Sequence, residues 1–327
     1  MRFAVYLPWL LSVLVALPGV AAMLRGLPDR LDPRPVLMAL TTSLAALTAA
    51  TTASLALLAV AGASTLAAPD SSLASSDGHA DPGALPVGAV AAGLLGVALV
   101  RAGRVAWHRW RQHRGLRASV DLALPSAADG TVFVEDDAIF ALATPSNWTS
   151  PGRVVVSRGM WTALDDQERA AVVAHEQEHL VGAHHRHLAV AAVAIALNPL
   201  LAPWWSDVVH AAERCADEGA ARRLGDRRLV ARAVGRAALS VRSRRTPATS
   251  KHQPLADLTT ALGVATGSVP RRVAALQAGW DRSHHSGPHL APALLVGAVL
   301  VTSVALSAAG ATHAAWDLHD LLGTLAR

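Results

Sequence analysis

The chain has 327 residues, 52% of them hydrophobic and only 16% charged, and its formal net charge at pH 7 is +5. A soluble domain of this size normally contains a larger fraction of charged residues. The only cysteine, Cys215, excludes an intramolecular disulfide framework and is typical of proteins from a reducing compartment. The composition therefore predicts a membrane protein without internal disulfides.

Four apolar stretches are long enough, or nearly long enough, to cross a bilayer as helices of about 20 residues. They are Phe3–Leu24, Val36–Ala61, Ala84–Val100 and Leu290–Ala309. The first stretch could also be a signal peptide, but its length and its two prolines favour an uncleaved anchor. We therefore predict three transmembrane helices within residues 1–100 and a fourth at residues 289–309.

The charged residues predict how these helices are oriented. Six arginines follow the third stretch immediately, and such a basic cluster is retained in the cytoplasm. The loop before that stretch contains aspartates but neither lysine nor arginine, so we expect it outside. Both termini then lie outside the cell membrane, residues 101–288 form a cytoplasmic domain, and residues 310–327 form a short extracytoplasmic tail. This use of the basic residues argues against direct binding of nucleic acid. The arginine cluster comprises Arg101, Arg104, Arg109, Arg111, Arg114 and Arg117.

The cytoplasmic domain begins with three short runs of β-type residues, which predict a small sheet or hairpin. They are Thr131–Val134, Ile139–Ala143 and Arg153–Ser157. Asp165 and Glu168 then have the spacing of a helix capping box. The proline-free, alanine-rich sequence that follows predicts one long helix from Glu168 to Leu197.

The apolar stretch Leu188–Ala202 is too short to be a further span. Fifteen helical residues extend only about 22 Å, against a hydrocarbon core of about 30 Å, and Pro199 interrupts the stretch. We expect it to lie on the membrane face or against the other spans. Later helices are predicted from about Ser206 to Leu224 with an end at Gly225, at Asp226–Arg242 and at Ala256–Trp280.

Residues 175–179, within the long helix, have the sequence His-Glu-Gln-Glu-His, which is the HExxH pattern. One helical turn separates the two histidines, so both imidazoles project from one face and can bind a single Zn²⁺ ion. Glu176 then lies beside the metal, where it can accept a proton from an activated water molecule. The pattern predicts a zinc hydrolase with one metal ion per chain.

A catalytic zinc ion needs a third protein ligand, and His185 is one candidate. It completes a longer pattern, HExxHxxGxxH, in which the helix ends at Gly182 and a methionine turn follows. All four methionines precede His185, and the sequence after Gly182 continues as a good helix. These observations favour a polar surface cluster of His184, His185 and His187.

Glu213 is the other candidate, and the sequence favours it. It lies on the next predicted helix, four residues before Asp217, so the two carboxylates project from one face. A carboxylate can bind zinc, and a nearby aspartate can fix a ligand histidine through the other ring nitrogen. Glu213 is therefore the preferred third ligand, and Asp217 the preferred partner of a histidine ring.

These motifs, in this order, resemble the BlaR/MecR-type integral membrane zinc metallopeptidases. The likeness rests on HExxH, on Asn198-Pro199-Leu200 and on a Glu-x-x-x-Asp motif at Glu213, and it covers roughly residues 84–310. It implies a mainly α membrane protein with four transmembrane helices. A zincin-like, gluzincin-type α+β metalloprotease domain would lie in the cytoplasm between spans three and four.

The resemblance also implies that His175, His179 and Glu213 bind the zinc ion and that Glu176 is the catalytic base. The implied activity is that of an endopeptidase, and its substrate a cytoplasmic or membrane-proximal protein. One such substrate is a DNA-binding transcriptional repressor in signal transduction. Antibiotic-sensing members carry a large extracellular sensor domain after span four, where this sequence has only residues 310–327. We therefore expect a short form that does not recognise β-lactams.

Two alternatives stay open. A quality-control protease similar to the HtpX/Ste24 group also has HExxH and a downstream Glu-x-x-x-Asp, and it would clear damaged membrane proteins broadly. A non-catalytic membrane scaffold or sensor could retain a metal site, although the intact Glu176 favours an enzyme. The sequence defines no oligomeric state.

Overall fold

A computed structural model describes residues 31–67, 84–121, 130–146, 151–243 and 269–278. The predicted spans Phe3–Leu24 and Leu290–Ala309 lie outside these residues. The first elements in chain order are α1 (Pro33–Ala67), α2 (Ala84–Asp121), β1 (Thr131–Val134), β2 (Ala141–Thr144), β3 (Arg153–Ser157) and α3 (Arg158–Ala163). They are followed by α4 (Asp166–Val181), α5 (His184–Leu197), a 3-10 segment (Pro199–Trp204), α6 (Trp205–Leu224), α7 (Arg227–Ser243) and α8 (Val269–Ala278).

Helices α1 and α2 are long and apolar enough to cross a membrane, over Pro33–Val60 and Leu85–Ala118 respectively. They correspond to the second and third predicted spans. The start of α2 packs on the end of α1, where Gly88 lies directly against the backbone of Gly62. Glycines at such a contact let two helices approach closely. Both helices extend beyond the predicted spans, and α2 continues through the whole arginine cluster.

The sheet lies against the far end of α2. Its strand order is β1-β3-β2, with β1 parallel and β2 antiparallel to β3. The three predicted strands are therefore present, the second of them beginning two residues and ending one residue later than predicted. Leu116 and Val120 of α2 pack with Val132, Phe140 and Val155 of the sheet region. One continuous helix thus connects the apolar part of the chain to the core of the domain.

The predicted long helix over Glu168–Leu197 is wrong in one respect, because the chain bends by 61° between α4 and α5. The predicted capping box is present, since the Asp165 side chain accepts from the Glu168 N–H and Glu168 reciprocates. The bend falls at Gly182 and Ala183, and Ala183 has a positive φ of 48°. A side chain at Gly182 would collide with the ring of His184. The glycine therefore permits a turn that helix propensity does not predict.

Helix α5 and the 3-10 segment pack against the apolar helices, as the sequence predicts for this stretch. Ala191, Leu201 and Trp204 share one core with Leu37 and Leu44 of α1. Helix α6 then runs back and ends at Gly225, whose φ of 71° is the usual left-handed cap. Helices α7 and α8 cover α6 and α4 through a second core. This arrangement places α6 beside the HExxH helix.

Candidate metal centre

Helices α4 and α6 bring the side chains of His175, His179 and Glu213 together, with the candidate ligand atoms all within 4.8 Å of one another. The Nε2 atoms of the two histidines are 3.2 Å apart. Each Nε2 atom lies 3.6 Å from a carboxylate oxygen of Glu213. A tetrahedral zinc ion with bonds of about 2.0–2.1 Å places its ligand atoms about 3.3 Å apart. The three side chains therefore fit a zinc ion.

The second ring nitrogen of each histidine also has a partner. The Nδ1 atom of His175 is 3.0 Å from an oxygen of Asp217. The Nδ1 atom of His179 is 3.0 Å from Nδ1 of His184. Partners on Nδ1 fix the ring orientation and the tautomer, leaving Nε2 for a metal. Asp217 thus lies where the sequence predicts it, whereas the contact of His184 is new.

The expected polar surface cluster of His184, His185 and His187 is wrong for His184, whereas His185 and His187 are partly exposed. His184 is buried against His179. His187 is 3.1 Å from the hydroxyl of Thr41 on α1. The helix does end at Gly182, as the longer HExxHxxGxxH pattern requires. Among the described residues, however, the cluster around His175 and His179 is completed by Glu213 and not by His185.

Arg272 of α8 belongs to the site, although the sequence predicts only a helix there. Its Nε and one Nη donate to both oxygens of Asp217, at 2.8 and 2.7 Å. Its other Nη is 2.7 Å from Glu213. Burial alone would raise the pKa of Glu213, but Arg272 and the neighbouring histidines lower it to about 2. Burial would likewise raise the pKa of Asp217. Arg272 is the main cause that opposes this rise, and the pKa is held well below its usual value.

His175 is the ring that carries a proton when no metal is bound. Burial lowers its pKa, but hydrogen bonds to Asp217 and Glu213 outweigh that effect and raise the pKa to about 10. Burial lowers the pKa of His179 to about 3, so that ring is neutral. A metal ion binding here therefore displaces a proton from His175.

Glu176 is half-buried beside these side chains and lies close to the edge of the sheet. The backbone N–H of Ala143, on β2, lies near its carboxylate and favours the ionised form. Burial raises the pKa of Glu176 to about 7; the charge of His175 opposes this rise and that of Glu213 adds to it. A carboxyl group with a pKa near neutrality can both accept and release a proton at physiological pH.

The model of peptidase family M48 matches residues 106–313, about two thirds of the chain. The chain belongs to peptidase family M48. The matched part contains the HExxH helix, Glu213 and Arg272, and the family identifies a metal-dependent peptidase. No curated protein and no solved structure matches the chain.

We predict that His184→Ala weakens the zinc affinity of this M48 peptidase by about 10–100-fold, because His179 loses the partner that fixes its ring. Competition with a chromogenic chelator measures the affinity. His187→Ala is the matched control, since His187 lies on the same helix but contacts Thr41 instead. Equal affinity of the His184→Ala variant and the unchanged protein would contradict the assignment.

Proposed function

We propose that this M48 metallopeptidase is a membrane-bound zinc endopeptidase that cleaves a cytoplasmic or membrane-proximal protein. The observation that carries the proposal is the cluster of His175, His179 and Glu213 with Glu176 at its side. Two imidazole nitrogens and one carboxylate oxygen are a ligand set that zinc uses in catalytic sites. The two imidazole nitrogens support zinc over ions that prefer six oxygen ligands.

The side chains around the cluster have separate roles in the proposed peptide hydrolysis. A Zn²⁺ ion bound by His175, His179 and Glu213 would supply Lewis-acid chemistry for the scissile carbonyl. Glu176 accepts the proton of the attacking water and passes it to the leaving amine. Asp217 and His184 hold the two ligand rings. Arg272 neutralises the two carboxylates, so both remain ionised in a buried site.

The sheet edge beside Glu176 supports an extended protein segment as the substrate. Strand β2 lies at the edge of the described sheet and pairs only with β3 there. An extended peptide can pair with such an edge through main-chain hydrogen bonds. The backbone N–H of Ala143 lies near the Glu176 carboxylate, so this edge is next to the proposed catalytic carboxylate. A peptide aligned on β2 would therefore pass the metal in an extended conformation.

The packing of the site on α1 supports a membrane-proximal substrate. Arg214, which follows Glu213, donates to the carbonyl of Leu31, two residues before α1, at 3.3 Å. The metal cluster is thus attached to the start of an apolar helix that can cross a membrane. We propose the orientation that the arginine cluster predicts, with residues 101–288 in the cytoplasm and both termini outside.

Zinc content and peptidase activity of the detergent-purified protein test this proposal. We expect one zinc ion per chain, lost in Glu213→Ala and retained in Asp207→Ala, a matched acidic residue on the same helix. Retention of zinc without Glu213 would contradict the ligand assignment. Zinc without hydrolysis of either casein or a membrane-protein substrate would contradict the endopeptidase and favour a scaffold.

The substrate class is the second part of the proposal. The BlaR/MecR resemblance favours a transcriptional repressor, whereas a protease of the HtpX/Ste24 kind would degrade many damaged membrane proteins. Terminal-peptide proteomics of cells with the unchanged protein and with Glu176→Gln separates the two. A single new terminus within a DNA-binding protein supports the repressor. Many termini spread over membrane proteins would overturn it in favour of quality control.

A further inference from the structure

The chain between α5 and α6 forms a helical hairpin with an uncharged apolar end. No Asp, Glu, Lys or Arg occurs between Arg186 and Asp207. Helix α5 packs along α1, the 3-10 segment reverses the direction of the chain, and α6 runs back beside α5. We call residues 199–203 the hairpin tip. Its position relative to the apolar helices decides whether it contacts water or lipid.

Helix α5 runs parallel to α1 and in register with it. Three polar contacts occur at almost the same residue offset along the two helices, His187 with Thr41, Ala194 with Thr48 and Asn198 with Thr51, at 3.1, 3.3 and 3.5 Å. The hairpin tip therefore begins at the level of Thr51, well inside the helix that can cross a membrane.

The arginine cluster on α2 marks the membrane boundary at nearly the same level. Gly88 of α2 contacts Gly62 and Leu58 of α1. Arg101 lies thirteen residues further along α2, about 20 Å at 1.5 Å per residue. Because α2 packs back along α1, Arg101 comes opposite a level slightly before Thr51. The hairpin tip thus lies at about the level of the first arginine, where the apolar part of α2 ends.

Aromatic residues lie at the level expected for a membrane interface. Trp205, at the start of α6, lies under the guanidinium of Arg109, 5.6 Å from it. Trp107 and Trp110 on the same stretch of α2 are 58% and 46% exposed. Tryptophan and arginine concentrate at the headgroup level of membranes. Because α6 begins at Trp205, its first turn lies on the headgroup side of the hairpin tip.

The hairpin tip has the chemistry of a lipid-facing segment. Its exposed residues are all apolar, and Leu200 is 54% exposed. Its two prolines have no N–H group, while the N–H groups of Leu200 and Leu201 donate to the side chain and the carbonyl of Asn198. Backbone donors without a partner would be costly in hydrocarbon. Here the donors of these two residues are satisfied internally, so insertion into lipid leaves them paired.

We propose that the hairpin tip inserts into the acyl region of the cytoplasmic leaflet as a third membrane contact beside α1 and α2. The tip enters by only a few residues and does not cross the bilayer. Together with the two helices it would fix the height and tilt of the peptidase domain on the membrane. The inference concerns lipid contact and does not depend on the catalytic activity.

Depth-dependent fluorescence quenching tests the insertion. The full chain with Cys215→Ala and Leu200→Cys is labelled with an environment-sensitive dye and reconstituted into phosphatidylcholine/phosphatidylglycerol vesicles. We expect blue-shifted emission that a nitroxide at acyl carbon 5 quenches at least about twofold more than aqueous iodide does. The matched control is Asp166→Cys at the start of α4, where the side chain is 93% exposed. Its dye should be quenched by iodide and not by nitroxide lipids.

The measurement has two outcomes that overturn the proposal. Quenching of the Leu200 dye by iodide to the same degree as the Asp166 dye would place the tip in water. Stronger quenching by a nitroxide at acyl carbon 12 than at carbon 5 would place the tip near the bilayer centre, which is too deep for a shallow insertion. Ala202→Cys, also exposed on the tip, gives a second labelled position if the Leu200 variant does not fold.

Discussion

Glu176→Gln is expected to lower the peptidase activity by at least about 100-fold while the protein keeps its fold and its metal. A positioned general base contributes about 10²–10⁴-fold to a rate, and an amide cannot accept the proton. The substitution removes none of the proposed metal ligands, which are His175, His179 and Glu213. Turnover of a fluorogenic peptide, with the zinc content of the same preparation, measures both effects.

Glu178→Gln is the matched control for this experiment. It makes the same chemical change two residues further along the same helix, where Glu178 accepts from Arg223 at 3.0 Å instead of facing the metal cluster. We expect the control to lose some thermal stability but to retain its turnover per zinc ion. Glu176→Gln with turnover equal to that of the control would remove Glu176 from the mechanism.

The sequence predicts much of the site because helical spacing converts directly into geometry. Two histidines one turn apart must share a face, and so must Glu213 and Asp217. What the pattern alone leaves open is whether the two helices meet. The structure answers this with the 3.6 Å distances between the histidines and Glu213. The capping pair of Asp165 and Glu168 could also be predicted, since a capping box is a local interaction.

The residues that the sequence does not reveal reach the site through long-range packing. Arg272 lies 55 residues from Asp217, its partner, and no local pattern around it indicates a buried guanidinium. His184 lies near the motif, but its contact depends on the turn at Gly182. A single glycine in a helix is usually tolerated, so propensity favours an unbroken helix. The contact of the His184 ring with His179 favours the bend at Gly182 over an unbroken helix.

The lengths of the apolar helices also depend on long-range packing that the sequence pattern does not reveal. Hydropathy predicts a third span that ends at Val100, because arginines begin there. The helix itself continues to Asp121, since no proline or capping signal stops it and its last turns pack under the sheet. Hydropathy thus predicts where a helix can contact lipid, whereas the length of the helix is set by packing on the sheet.

Arg272→Met is expected to destabilise the metal-free protein by about 3–5 kcal/mol, the usual result of removing one partner from a buried ion pair. The variant leaves Glu213 and Asp217 side by side without their shared cation. For a domain of this size the loss corresponds to a fall in Tm of about 6–20 °C. Thermal unfolding in detergent with a chelator present measures it. Arg271→Leu is the control, because this neighbouring arginine is exposed. Equal Tm values for the two variants would contradict the role of Arg272.

The pH dependence of this difference separates an electrostatic role of Arg272 from simple packing. Arg272, together with His175 and His179, lowers the pKa of Glu213 to about 2, and Arg272 is the main cause that lowers the pKa of Asp217. Carboxylates with lowered pKa values stabilise the folded state above their unfolded pKa of about 4, and this contribution is lost as the pH falls through the folded pKa. The destabilisation by Arg272→Met should therefore be largest at neutral pH and shrink as the pH falls from about 5 towards about 2. A difference that is constant with pH would mean that Arg272 acts through its volume alone.

Arg272→Lys should restore part of the neutral-pH stability, because it keeps the charge but cannot donate to both carboxylates in the same planar geometry.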